Sequence, residues 1–537
     1  MNYYHQAFSP IASLPVELLA YIFVLGTHEP VPPDVHDDEC QPFNAESVKT
    51  PLVYASVSRL WRNVALNTPA LYTSLCITPN LVRDVGVLDV SPISTYLQLS
   101  CNYLVDILID ARDHDWDFED ESCYKPLFST ENMSAALGVL LPHIGRWRSL
   151  SILTDVYSPM HAALRPLEAC LAANGAPHLE SLRLMRCDSY AAHASFSPVS
   201  NPHHVFLSSI RGHGGASLLL PNLRYLSLRG VPAAWEPLAS VLPDCLQSLE
   251  LAYHPVPTQP TISELQGLLA STPRLSRLVV NGSGPVLFDP ISASPASSSH
   301  DLWLPELRDL TLGYVSAPTG LAFLQLLSAA APNVRALHIE DASDPASLTP
   351  VDASPLLAAL TPSNLESKPF PHLAALELKR THLAGSPLQH PPEVPHLELV
   401  GMDSNALAAV RCTDTLCVKG GKILSSPAQL LCAVLIGKGQ DAEQHRPLRV
   451  LEMHGSTFAT PGAVPVEDFV AGGTRVRVFR DDADEEDGMD EDGDEDEDTL
   501  MGSDREEEEA FKPGGVFNDP VFDARYAGYG GMIMAVS

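Results

Sequence analysis

The chain has 537 residues, too many for one compact core, since single domains usually run ~50–250 residues; it must hold several domains or a repeat array. Hydrophobic residues make up 45% of it and charged residues only 18%, which excludes a wholly disordered chain. A formal net charge of −33 argues against DNA, RNA or anionic membrane as the main ligand, because each needs a basic field that this composition does not supply.

Forty-seven prolines predict many short elements. The ten cysteines are scattered without a C-x-x-C pair, so neither a disulfide framework nor a zinc site is signalled. No secretory leader pattern opens the sequence and no apolar run is long enough to span a membrane. These features predict a reduced, cytoplasmic and/or nuclear protein with no membrane association and no cofactor.

In chain order, the first organised stretch begins at Leu14. Pro15 suits a first helical position and Glu17 falls in the first turn, where the helix dipole favours an acid. Leu18, Leu19, Ile22 and Phe23 then share one face of a helix expected to stop at Gly26. Residues 26–50, with Pro30, Pro32, Pro33, Pro42 and the run Asp37-Asp38-Glu39, predict a solvated loop. From Leu52 the helical period returns through Val53, Val57, Leu60, Trp61 and Val64, and Thr68-Pro69 closes the piece.

The segments Leu14-Pro15-Val16-Glu17-Leu18-Leu19-Ala20-Tyr21-Ile22-Phe23 and Val57-Ser58-Arg59-Leu60-Trp61-Arg62 resemble the two halves of an F-box of the fungal type. The loop between them is longer than in compact F-boxes, and Ser58 stands where that family often has cysteine. The resemblance implies a small all-helical module over residues 10–74. It would dock on the Skp-type adaptor of an SCF (Skp–cullin–F-box) ubiquitin ligase, with Leu14, Pro15, Leu18, Ile22, Phe23, Val57 and Trp61 as contacts.

Further along, the spacing apolar-x-x-Leu-x-apolar recurs, as in Leu179/Leu182/Leu184, Leu223/Leu226/Leu228, Leu246/Leu249/Leu251, Leu307/Leu310/Leu312 and Leu373/Leu376/Leu378. A period-2 strand with inward side chains requires this spacing. Between strands lie helical patterns ending at proline; Thr261-x-x-Glu264 is a capping box opening one of them. Central residues are 23, 29, 32, 27 and 39 positions apart from Leu226 to Leu376, a loose period. The unit resembles a leucine-rich repeat, which implies an irregular, horseshoe-like α/β solenoid with a parallel sheet over residues 75–480.

In such a solenoid the side chains flanking each central leucine face outward and commonly bind a partner. The candidates are Arg183, Tyr225, Glu250, His338, Glu377, Glu398 and Glu452. The later ones are acidic and would suit a basic partner. Residues 481–537 form an acidic tail: from Asp481 to Glu509 there are nineteen Asp or Glu against Arg505 alone, a composition that predicts disorder.

No phosphate-binding loop, G-x-S-x-G elbow or H-E-x-x-H helix occurs, so the sequence points to a non-catalytic protein. The expected function is a substrate-recognition subunit of an SCF ligase, with the adaptor, a cullin and an unknown protein substrate as partners. The alternatives are a repeat scaffold without ligase association and an acidic chaperone-like binder of basic proteins.

Overall fold

The computed structural model describes residues 11, 14–28, 43–83, 86–113, 127–186, 205–208, 219–286, 302–342, 352–361, 369–383, 392–402, 410–420, 448–454, 467–471 and 474–479. The acidic tail and residues 29–42 of the expected N-terminal loop lie outside the described residues. The chain forms two compact units, Met1–Val351 with Pro362–Leu373, and Asp352–Thr361 with Ala374–Ser537. The N-terminal helices belong to the same unit as the first nine strands.

The first unit begins with α1 (Val16–Thr27), preceded by Pro15 as its N-cap rather than its first helical residue. A 3-10 helix (Ala45–Lys49) runs into α2 (Thr50–Val57), and α3 (Arg59–Leu66) follows at once. The sequence pattern reads residues 52–64 as one helical piece; the structure breaks it at Ser58. That residue is extended, with φ −158° and ψ 168°, and its hydroxyl accepts the Trp61 N–H at 3.1 Å. Serine does this well because its side chain replaces a missing intrahelical partner at a helix start.

After a second 3-10 helix (Pro69–Tyr72) the chain enters strands and helices in alternation. These are β1 (Ser74–Ile77), α4 (Ser91–Leu99), β2 (Val105–Asp110), α5 (Thr130–Leu140), β3 (Trp147–Thr154), α6 (Tyr157–Asn174) and β4 (Ser181–Arg186). There follow β5 (Tyr225–Arg229), α7 (Trp235–Val241), β6 (Ser248–Ala252), α8 (Ile262–Ala270), β7 (Arg277–Asn281), β8 (Asp309–Gly313), α9 (Ala317–Ala330) and β9 (Ala336–Glu340). Each strand pairs in parallel with the next in chain order, with no strand skipped. The unit is therefore an α/β sheet that grows like a solenoid, one strand per repeat.

The register explains the leucine spacing. Leu182, Leu226, Leu249, Leu278, Leu310 and Leu337 are consecutive partners across the sheet, and all six are buried. Each leucine from Leu226 to Leu310 thus packs on the one before and the one after. Burying such a side chain contributes roughly 1.5–3 kcal/mol. The capping box opening α8 is present in full: the Thr261 hydroxyl accepts Glu264 N–H, and the Glu264 carboxylate accepts Thr261 N–H at 2.9 Å.

The helical segment is fixed to the start of the sheet. The Tyr96 hydroxyl of α4 donates to the Val48 carbonyl at 2.6 Å, and the buried Tyr72 meets the Tyr96 ring edge-on at 5.2 Å between centroids. Two buried acids brace the early strands. Asp106 takes hydrogen bonds from Arg148 and Ser149, and Asp110 accepts both Nε and Nη2 of Arg112 at 2.8 and 2.9 Å.

In the second unit, α10 (Ser354–Ala358) precedes β10 (Ala375–Lys379), β11 (Glu393–Val400), β12 (Arg411–Lys419) and β13 (Val450–His454), paired in parallel in that order. β14 (Glu467–Ala471) and β15 (Thr474–Phe479) form an antiparallel hairpin, and β15 pairs in parallel with β13. Strands β1, β12, β14 and β15 were not among those the repeat pattern picks out. No helix among the described residues is long and apolar enough to cross a membrane.

Candidate functional site

Apart from Glu17 in its first turn, the sequence of α1 is apolar on nearly every side, and the structure divides it into two stripes. Leu19, Phe23 and Thr27, four residues apart, are buried. Phe23 is 1% exposed; its ring stacks on Tyr54 of α2 at 4.2 Å and tilts against Trp61 of α3 at 4.9 Å. Gly26 lies so close beneath the Tyr54 hydroxyl that any Cβ there would displace the ring.

The opposite stripe faces outward. Leu18 and Ile22 are 51% and 49% exposed, Val16, Tyr21 and Leu25 of α1 are exposed as well, and so are Leu52, Val53 and Val57 of α2. Eleven of the eighteen large apolar side chains exposed among the described residues lie between Ile11 and Leu66. A helix hydrophobic on every side is normally a buried helix, so the outer half of α1 is a surface without its cover.

The residues expected to contact an adaptor therefore separate. Leu18, Ile22, Val57 and Pro15 are exposed, and Leu14 is half-buried at the helix entrance. Phe23 belongs to the core of the helical segment, and half-buried Trp61 packs against it. The shared face expected for Leu18, Leu19, Ile22 and Phe23 becomes two, because Leu19 and Phe23 turn towards α2 and α3.

On the sheet, the outward candidates flank the leucine ladder as the strand period requires. Arg183, Tyr225, Glu250 and His338 occupy such places in the first unit, and Glu377, Glu398 and Glu452 in the second. Several of the acids are already engaged. Glu250 accepts Arg229 Nε at 2.5 Å, Glu398 meets Lys419 Nζ at 2.8 Å, and Glu452 meets Arg477 at 2.9 Å. Burial works against ionisation of Glu250, but the Arg229 guanidinium overrides it and holds the carboxyl below its ordinary range.

Three cysteines sit in the sheet, Cys76, Cys412 and Cys417, and burial raises the thiol pKa of each. Burial pushes the Cys76 thiol up to about 12, with Asp110 adding to the shift. Burial likewise pushes Cys417 up to about 12, helped by the Glu398 carboxylate. Both stay as thiols at neutral pH, which removes them as nucleophiles. Among the described residues no group of three or more His, Cys, Asp or Glu is placed to hold a metal ion.

No family model matches the chain, and no curated protein matches it. The sequence signals of the outward apolar stripe were Leu18 and Ile22. Sequence reasoning reads Arg277 as an outward position of its strand, but it missed Arg224, Arg308 and Arg335, exposed beside it where the strands begin.

Proposed function

We propose that the chain is a receptor subunit of an SCF-type ubiquitin ligase, an F-box module joined to a leucine-rich-repeat domain, which performs no bond chemistry itself. The observation that carries this reading is the exposed apolar stripe of α1 with its neighbours on α2, in a segment whose sequence resembles an F-box. Such a stripe, rimmed by residues of a well-packed helical core, suits an apolar groove on a partner protein. The parallel sheet offers outward side chains for a second protein, and holding that protein near a ubiquitin carrier would raise its effective concentration.

The test uses purified Skp-type adaptor rather than a lysate. The full chain should capture it, and Ile22→Asp with Val57→Asp should weaken capture by about tenfold or more while the unfolding midpoint stays unchanged, since both side chains are exposed. Failure of the wild-type chain to bind the adaptor, or undiminished binding by the double variant, overturns the proposal.

A further inference from the structure

The N-terminal ends of β5 to β9 form two short rows across the sheet. Arg224, Gln247, Ser276, Arg308 and Arg335 make the first; Tyr225, Ser248, Arg277, Asp309 and Ala336, in strand register, make the second. The backbone here is already satisfied. Arg224 O accepts Gln247 N–H at 2.8 Å, Gln247 O accepts Ser276 N–H at 2.8 Å, Ser276 O accepts Arg308 N–H at 2.9 Å, and Arg308 O accepts Arg335 N–H at 2.8 Å. What the rows leave over is side chains.

Arg224, Arg277, Arg308 and Arg335 are all exposed, and among the described residues none makes an ion pair or a side-chain hydrogen bond. Asp309 is the only carboxylate in the two rows; Glu180, just ahead of the preceding strand, adjoins Arg224, and Asp244, Arg274 and Glu306 lie just before the rows. This contrasts with Glu250, Glu398 and Glu452, each of which has a basic partner. Tyr225 in the second row is 48% exposed, and Trp303, 56% exposed, lies five residues before Arg308 on the segment entering β8. Arg, Tyr and Trp are the residue types that most often carry binding energy in protein interfaces.

We infer that this edge is a docking surface for an acidic peptide segment of a partner protein. Four guanidinium groups without a partner among the described residues can take carboxylates bidentately, and the Tyr225 ring supplies apolar contact area in the second row. Four inter-strand steps of ~4.8 Å give a strip of ~19 Å, the length of about six extended residues. A polyanionic nucleic acid fits less well, because four arginines on a chain of net charge −33 cannot hold a long phosphate backbone. The inference deepens the receptor reading, on which it rests for calling the ligand a substrate. The binding itself is measured without the adaptor.

The probe is fluorescein-labelled hexaglutamate, titrated with the full chain by fluorescence anisotropy. Binding should weaken about tenfold in Arg224→Gln/Arg308→Gln/Arg335→Gln, should weaken in Tyr225→Ser/Trp303→Ser, and should fall between ~0.05 M and ~0.5 M salt. Adaptor capture should be unaffected in all these variants, so the two proposals fail separately. Preference for hexalysine, tighter binding of a single-stranded RNA, or affinity unchanged in both variants overturns the inference. So does binding that emerges only after the acids of residues 481–509 are replaced by serine, which would make the chain's own acidic segment the occupant.

Discussion

Leucine is spaced regularly in both α1 and the strands β4 to β9, yet its fate differs. In the strands every central leucine is buried against its partner on the preceding strand, whereas on α1 Leu19 is buried and Leu18 beside it is half exposed. The ladder is closed by its own repetition; among the described residues, α1 has neighbours on one side only. A regular apolar pattern therefore reports that a surface will be covered without saying by what.

The contrast can be broken most forcefully in the ladder. Leu249→Ala should cost about 2–5 kcal/mol, because it leaves a cavity between fully packed neighbours, whereas Ile22→Ala should stay within about 0.5 kcal/mol. Urea unfolding of the two variants measures both, and equal losses would mean that Ile22 is covered in the free chain.

A smaller effect belongs to the break between α2 and α3. Ser58→Ala removes the hydroxyl that accepts Trp61 N–H and should cost about 1 kcal/mol, whereas Ser58→Asp, which can cap equally well, should cost little.

The smallest effect is conditional on pH. Because the folded carboxyl of Glu250 is held below its ordinary value, its contribution is present above the unfolded value of about 4.3 and is lost as pH falls through the folded value. The stability gap between wild type and Glu250→Gln should therefore be widest near neutrality and shrink in acid, as thermal unfolding across that range would register.

Legibility in the sequence followed how local each cause is. The ladder was readable because a strand's period places Leu226 and Leu228 on one face whatever lies around them, and the capping box at Thr261 because it needs only four residues. The division of α1 was not, since Leu18 and Leu19 differ only in where α2 and α3 lie. Ser58 is compatible with a helix interior and with a helix start, and its extended backbone decides between them. Strand β12 has Leu416 and Val418 in place but lacks the earlier leucine of the repeat, and the hairpin β14–β15 breaks the parallel rule. The free arginines were hidden for a related reason: whether Arg308 has a partner depends on which strand stands beside it.

The strict succession of strands also bears on how such a chain can change. In the first unit each strand pairs only with its neighbours in chain order, so a connector can lengthen without rethreading anything, and the loose spacing from Leu226 to Leu337 is what such tolerance leaves in a sequence. New side chains can then be offered to the outside one rung at a time, while the leucines behind them hold the sheet together.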